Sequence, residues 1–242
     1  MALNISTIRR LATKKPPVCT AVIAAAGLSH RCKGEDKLFY PAGGKPVLAY
    51  TIEAFQKCAL VSEVIIVARE EHFENIGEIC KGYGFDKVSK IIKGGKTRAE
   101  SVINGVFAVS RNTKLIAIHD GARPCIDTLT IENVIKAAAK YHAAAPATQI
   151  NSTIKRVDNC IISETVSREG LFEIQTPQVF RTEIIKAALT NVAGKSVTVT
   201  DDCMAAEMIG VRAYIVEGSR NNIKITENED LQIAESILCR RI

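Results

Sequence analysis

Apolar residues along the chain gather into short unbroken runs, and between the runs they recur at helical spacing. Residues 20–25 are β-branched or alanine and carry no charge, which predicts a short buried strand. Residues 64–67, Val-Ile-Ile-Val, are continuously apolar and predict a strand covered on both faces. Further strands are expected through Ile91 and Ile92, over 115–118, over 145–150 and over 212–216. Pro46 suits the first turn of a helix, and Leu48, Ile52, Phe55 and Leu60 follow at near-helical intervals. Other helices are predicted over 73–81, from the Gly94-Gly95 turn to about Val109, and from Thr200-Asp201-Asp202 onward, with Thr200 or Asp201 as N-cap. The last begins at Glu227 and turns Leu231, Ala234, Ile237 and Leu238 to one side.

Strands alternating with helices imply an α/β protein with a mostly parallel, twisted sheet and helices on both faces. Ligands of such sheets sit at the C-terminal ends of the strands. One stretch breaks the rhythm. Residues 151–163 alternate about a turn at Asp158-Asn159 and are too polar for a core strand, so they predict a hairpin arm projecting from the body at about 150–170.

Composition narrows the class. At 242 residues, 47% apolar and 24% charged, the chain is an ordinary soluble globular protein. It is read as a flexible basic tail over 1–17, with Arg9, Arg10, Lys14 and Lys15 and no acid, followed by one domain over 18–242. No apolar run approaches the ~18 residues of a membrane span. Lysine and arginine outnumber the acids 32 to 26 but are dispersed, and only 5% of residues are aromatic, which argues against a nucleic-acid platform. Eight cysteines without a Cys-x-x-Cys pair read as reduced thiols, hence a cytoplasmic location, with organellar targeting by the tail left open. No metal site is assigned to them.

Chemistry gathers at three strand ends. After 20–25 come Ala25, Ala26 and Gly27, then Arg31, Lys33 and Lys37. Small residues let backbone amides reach oxygen atoms while spaced cations neutralise them, an arrangement suited to a triphosphate. A surface turn with solvated lysines reads as well from this loop alone. It lacks the Gly-Lys-Ser/Thr of a P-loop, and Ser29 breaks the dinucleotide fingerprint. Gly94-Gly95-Lys96-Thr97-Arg98 then opens a helix, with Ser101 one turn from Arg98. Leu115-Ile116-Ala117-Ile118 ends in His119-Asp120-Gly121-Ala122-Arg123-Pro124. A carboxylate at the tip of a central strand needs a cation. Mg²⁺ or another divalent ion on Asp120 is expected beside a triphosphate, with a cap or an Arg123 ion pair as the plainer reading. His119 is read as structural.

These motifs together resemble the 2-C-methyl-D-erythritol 4-phosphate cytidylyltransferase family, from about Val18 to Leu238. The resemblance implies a Rossmann-like fold, a homodimer joined through the arm, and transfer of CMP from CTP to a polyol phosphate with loss of pyrophosphate. It implies Arg31, Lys37 and Lys224 as catalytic cations. Ala25, Ala26, Gly27, Gly95, Arg98, Ser101 and Gly121 would bind CTP. Asp120, Arg123, Thr153, Arg168, Thr176 and Thr200 would bind the acceptor. A phosphate monoester is largely dianionic at neutral pH, so no general base is required. The chain departs from the family where Asp36 replaces a common Pro, Lys96 a frequent Asp and Asp202 the usual Glu, and the 31–37 loop is one residue short. A ribitol 5-phosphate cytidylyltransferase is the alternative, since acceptor identity rests on the arm. A nicotinamide oxidoreductase is disfavoured by the broken fingerprint. A non-catalytic nucleotide sensor has no use for Lys37, Lys224 and Asp120 together.

Overall fold

The computed structural model describes residues 18–27, 36–193 and 199–240. The basic tail, Arg31 and Lys33 lie outside them. The apolar runs assemble into one eight-stranded sheet built on β1 (Cys19–Ala25), which has parallel neighbours on both sides. β4 (Val61–Ala68) and β5 (Val88–Lys93) continue the sheet on one side, and β6 (Leu115–Asp120) lies on the other. Beyond β6 come β11 (Gln178–Arg181), β7 (Ala143–Gln149) and β10 (Phe172–Ile174), with β12 (Tyr214–Glu217) also paired to β7. β10 and β11 run antiparallel to their neighbours, so the sheet is mixed but mostly parallel.

Register decides what this sheet presents. Ala24 pairs with Asp120, Ala25 with Ala68, and Ala68 with Lys93. Four strand ends therefore form one row, and the residues that leave them, Ala26, Arg69, Gly94 and Gly121, emerge side by side. Each strand also splits its side chains between two cores, as a period of two requires. Ala21, Ile23 and Ala25 of β1 face α1 (Val47–Lys57), α4 (Thr128–Tyr141) and α7 (Asn228–Cys239). Val22 faces α3 (Arg98–Phe107), α5 (Thr182–Ala193) and α6 (Asp202–Glu207) on the other side. Val64, Ile65, Ile66 and Val67 are all fully buried, which is what a strand covered on both faces must show. Each such side chain contributes about 1.5–3 kcal/mol. α3 lies so close to the sheet that a Cβ on Gly105 would stand 2.3 Å from Val22 Cγ1 and 2.8 Å from Val67 Cγ2.

Several elements differ from the expected pattern. α1 stops at Lys57, because Cys58 is extended, and Leu60 belongs to the turn before β4. α4, α5, β10 and β11 have no counterpart in the periodicity traced above. α2 (Phe73–Gly82) matches it closely, and β12 starts two residues later than Arg212. The arm is a two-stranded hairpin of β8 (Ile154–Asp158) and β9 (Ile161–Val166), exposed along nearly its whole length. Its turn centres on Asn159 and Cys160, both at positive φ (48° and 66°), one residue beyond the expected position. The short pair β2 (Pro41–Ala42) and β3 (Lys45–Pro46) leads into α1.

Candidate active site

The row of strand ends opens onto a cavity of about 540 Å³. Its floor is backbone and small side chains from β1 and the turn after it, Ala24, Ala25, Ala26 and Gly27. One wall is the start of α3, with Gly95, Lys96, Arg98 and Ser101, and the opposite wall carries Lys37 and Lys224. The two glycine-containing turns touch. A Cβ on Gly94 would fall 2.4 Å from Ala26 Cβ and 2.9 Å from Ser101 Oγ. The glycine is thus required by the neighbouring loop, besides any contact with a flat ring. Ser101 fixes the turn from within: its Oγ accepts from Gly95 N (3.1 Å) and donates to Thr97 O (2.9 Å). Thr97 caps α3 by accepting from Glu100 N.

Asp120 is the electrostatic centre. Its Oδ1 accepts from Arg98 Nε at 3.2 Å, its Oδ2 lies 2.8 Å from Lys224 Nζ, and Arg123 Nε stands 3.7 Å from Oδ2. Burial alone would raise this carboxyl, but Arg98, then Lys224 and Arg123, hold it well below the usual carboxylate range. The structure surrounds Asp120 with three side-chain cations, of which the sequence pointed to Arg123 as an ion-pair partner. Among the described residues no group of three or more His, Cys, Asp or Glu is placed to hold a metal.

Arg98 is held from behind as well. Asp202 Oδ1 and Oδ2 accept from its two terminal nitrogens at 3.3 and 2.9 Å. Burial would lower the guanidinium, yet Asp202 and Asp120 outweigh it and hold it above its ordinary value. Asp202 itself is placed by Gln178, whose Oε1 accepts from the backbone N–H of Asp202 and Cys203 while its Nε2 donates to Asp201. Asp201 is the N-cap of α6, accepting from Met204 N at 2.8 Å. No signal in the sequence linked Arg98 to Asp202, because the pair closes across 104 residues.

His119 points away from the cavity. It packs on Phe55, shares a 3.0 Å hydrogen bond with Thr176 Oγ1, and sits 3.2 Å from Arg123 O. Thr176 Oγ1 in turn accepts from Asp120 N. Burial pushes the imidazole down to about 4, so it is neutral at physiological pH. Gly121 also lies beneath the cavity: its N–H donates to Ala24 O, and its carbonyl accepts from Thr51. Arg123 is buried and donates to Asn222 O at 2.7 Å, lining a second hollow of about 590 Å³. Lys224 borders both hollows.

Of the anticipated residues, the cavity therefore gathers Ala25, Ala26, Gly27, Lys37, Gly95, Arg98, Ser101, Asp120 and Lys224. Gly121, Arg123 and Thr176 stand under or beside it. Thr153 and Arg168 are exposed at the base of the arm, where Arg168 Nη1 donates to Asn151 O, and neither lines the cavity. Thr200 is exposed and packs its hydroxyl on Met204 Sδ. Arg31 lies outside the described residues. Arg69, unremarked in the sequence, also lines the cavity. Its signal was its position directly after a buried parallel strand, where ligands sit.

Backbone amides and fixed cations at strand ends, with no histidine or glutamate lining the cavity among the described residues, meet the demands of a nucleotidyltransferase. Such an enzyme must neutralise a polyphosphate and needs no proton acceptor for an anionic nucleophile. A profile of the 2-C-methyl-D-erythritol 4-phosphate cytidylyltransferase (IspD) family matches residues 19–240, and the chain belongs to that family. It is 40% identical to the enzyme of that name from Halalkalibacterium halodurans, over 92% of this chain and 97% of the relative. It is 43% identical to the one from Clostridium acetobutylicum, over 90% and 96%. The fold superposes on the 4-diphosphocytidyl-2C-methyl-D-erythritol synthase of Anaerococcus prevotii with a TM-score of 0.82 at 29% identity, covering 93% of this chain and 97% of that one.

Proposed function

We propose that the chain transfers CMP from CTP to 2-C-methyl-D-erythritol 4-phosphate at this cavity, releasing pyrophosphate. The carrying observation is Lys224, paired with Asp120 and exposed to both hollows. CTP fits the larger set of backbone contacts between the Ala25–Gly27 turn and the start of α3. The acceptor phosphate then comes from the side of Arg123. Its oxygen attacks the α-phosphorus, the bond to the bridging oxygen breaks, and pyrophosphate departs with the electron pair. Lys37 and Lys224 hold the charge that accumulates on the α-phosphate, together with Arg31 of the preceding loop. Lys37 is aimed by its own hydrogen bond to Ile225 O at 2.8 Å.

Mg²⁺ suits this site only together with the nucleotide, since it binds through one or two carboxylates plus substrate phosphates. Asp120 is the carboxylate that would hold it, and the ion would neutralise the triphosphate. Asp120, Arg123, Thr176 and Thr200 are assigned to the acceptor, with Arg168 and Thr153 delivered by a two-fold partner's arm, and reduced cysteines fit a cytoplasmic enzyme.

Pyrophosphate release across a matrix of nucleoside triphosphates and polyol phosphates tests the reading. CTP with 2-C-methyl-D-erythritol 4-phosphate should turn over fastest; equal turnover with UTP, or preference for ribitol 5-phosphate, would overturn the substrate assignment. Shared sites are tested by mixing Lys37→Ala with Arg168→Ala protein, each nearly inactive alone. Exchange at random should restore roughly a quarter of wild-type activity, and verified exchange without recovery sinks the two-fold arrangement.

A further inference from the structure

Arg69, His72 and Asp36 meet at the mouth of the cavity. Arg69 Nη2 donates to Asp36 Oδ2 at 2.5 Å, and His72 Nε2 lies 3.1 Å from the same oxygen and 2.6 Å from Nη2. The other carboxylate oxygen accepts from Leu38 N at 3.1 Å, and Phe39 N donates to Asp36 O at 2.8 Å. Phe39 then lays its ring against the His72 ring, centroids 4.8 Å apart. The residues before and after Lys37 are thereby fastened to the turn that follows β4. Asp36 and His72 side chains are only 10% and 15% exposed, so these contacts are shielded from competing water.

The backbone at position 36 has no ring to stiffen it. Proline stiffens the backbone by its ring. A carboxylate cannot, and its side chain leaves the preceding bonds free to turn. We infer that Asp36, gripped by Arg69 and His72, is the positioning device that holds Lys37 on its line to the reacting phosphate in this chain. Arg69 acts through Asp36, as a positioning residue. The inference rests on the assignment of Lys37 as a catalytic cation. A displacement of about 1 Å at such a group can cost a hundredfold in rate.

Steady-state kinetics of Arg69→Met, Asp36→Ala and the double variant Asp36→Pro/Arg69→Met provide the test, with melting temperature to confirm folding and Lys37→Ala as reference. Each single variant should lower kcat on the order of ten- to a hundredfold while KM for CTP changes little. The double variant should recover most of that loss, because the ring replaces the clamp. Arg69 Nε is buried and meets no acceptor among the described residues, so a direct hold on the nucleotide is the competing role. A raised KM with unchanged kcat in Arg69→Met would favour that role and overturn the inference, as would failure of proline to restore kcat. If Lys37→Ala is inactive while the clamp variants match wild type, the clamp alone falls. If Lys37→Ala keeps full kcat, the catalytic assignment falls and takes the clamp with it.

Discussion

Replacing Arg98 by Met removes the cation that separates two carboxylates while keeping most of the stem's volume. Asp202, only 3% exposed at its side chain, loses both of its guanidinium hydrogen bonds. Asp120 keeps Lys224 and Arg123. The loss therefore falls on Asp202. Breaking a buried pair from one side costs about 3–5 kcal/mol. Arg98 is 32% exposed, so water screens part of the original pairing and the lower end, ~3 kcal/mol, is the better figure. For a chain of this length that corresponds to a drop in Tm of roughly 6–12 °C. Without Arg98 the burial that already pushes Asp202 up loses its main counterweight. Its folded carboxyl then protonates at a higher pH than the unfolded one, near 3.9. Between those two values the native state holds more protons than the unfolded chain, and stability falls as pH rises. The variant should accordingly lag wild type less at about pH 5 than at about pH 8. Adding Asp202→Asn should recover at least half of the deficit, a coupling that a double-mutant cycle measures by thermal melts. A Tm within 2 °C of wild type at both pH values, or no gain from Asp202→Asn, would refute the account of Asp202 as a buried anion held by Arg98.

Lys224→Ala should fold normally, since Asp120 retains Arg98 and Arg123, yet lose ~10²–10³-fold in kcat, the scale of one preorganised charge contact; a pure KM effect would make it a ground-state anchor. Gly105→Ala places a methyl group within 2.3 Å of Val22 and should cost about 1–3 kcal/mol by lifting α3 from the sheet, seen as a drop of several degrees in Tm. An unchanged melt would mean that α3 shifts freely.

Asp120 was legible because a lone acid at the end of a buried strand, after Leu115-Ile116-Ala117-Ile118-His119, has few inexpensive environments. Its partners Arg98 and Lys224 were not, since they come from segments distant in the chain, and the same is true of Asp202, which holds Arg98 from behind. The same holds for Asp36 and Arg69, which meet across 33 residues. Strands buried on both faces announce themselves as apolar runs, whereas β11 is four residues long and carries Gln178 and Arg181. α4 runs through Ala137-Ala138-Ala139 into the alanine-rich β7, so composition does not divide helix from strand there. The left-handed residue that separates them, His142 at φ 77°, has no sequence signature comparable to a glycine. The arm was legible because its alternating segments are too polar for core strands, while its turn slipped by a residue because Asn159 and Cys160 are the two residues at positive φ.

Lys224 forms a common wall between the two hollows, and the proposed product is a single molecule that occupies both. Before reaction, nucleotide and acceptor can each dissociate alone. Afterwards their covalent union must surrender two grips together, and the second grip is intramolecular, with a millimolar effective concentration in its favour. Departure of the joined molecule is therefore a slower step than departure of either substrate alone.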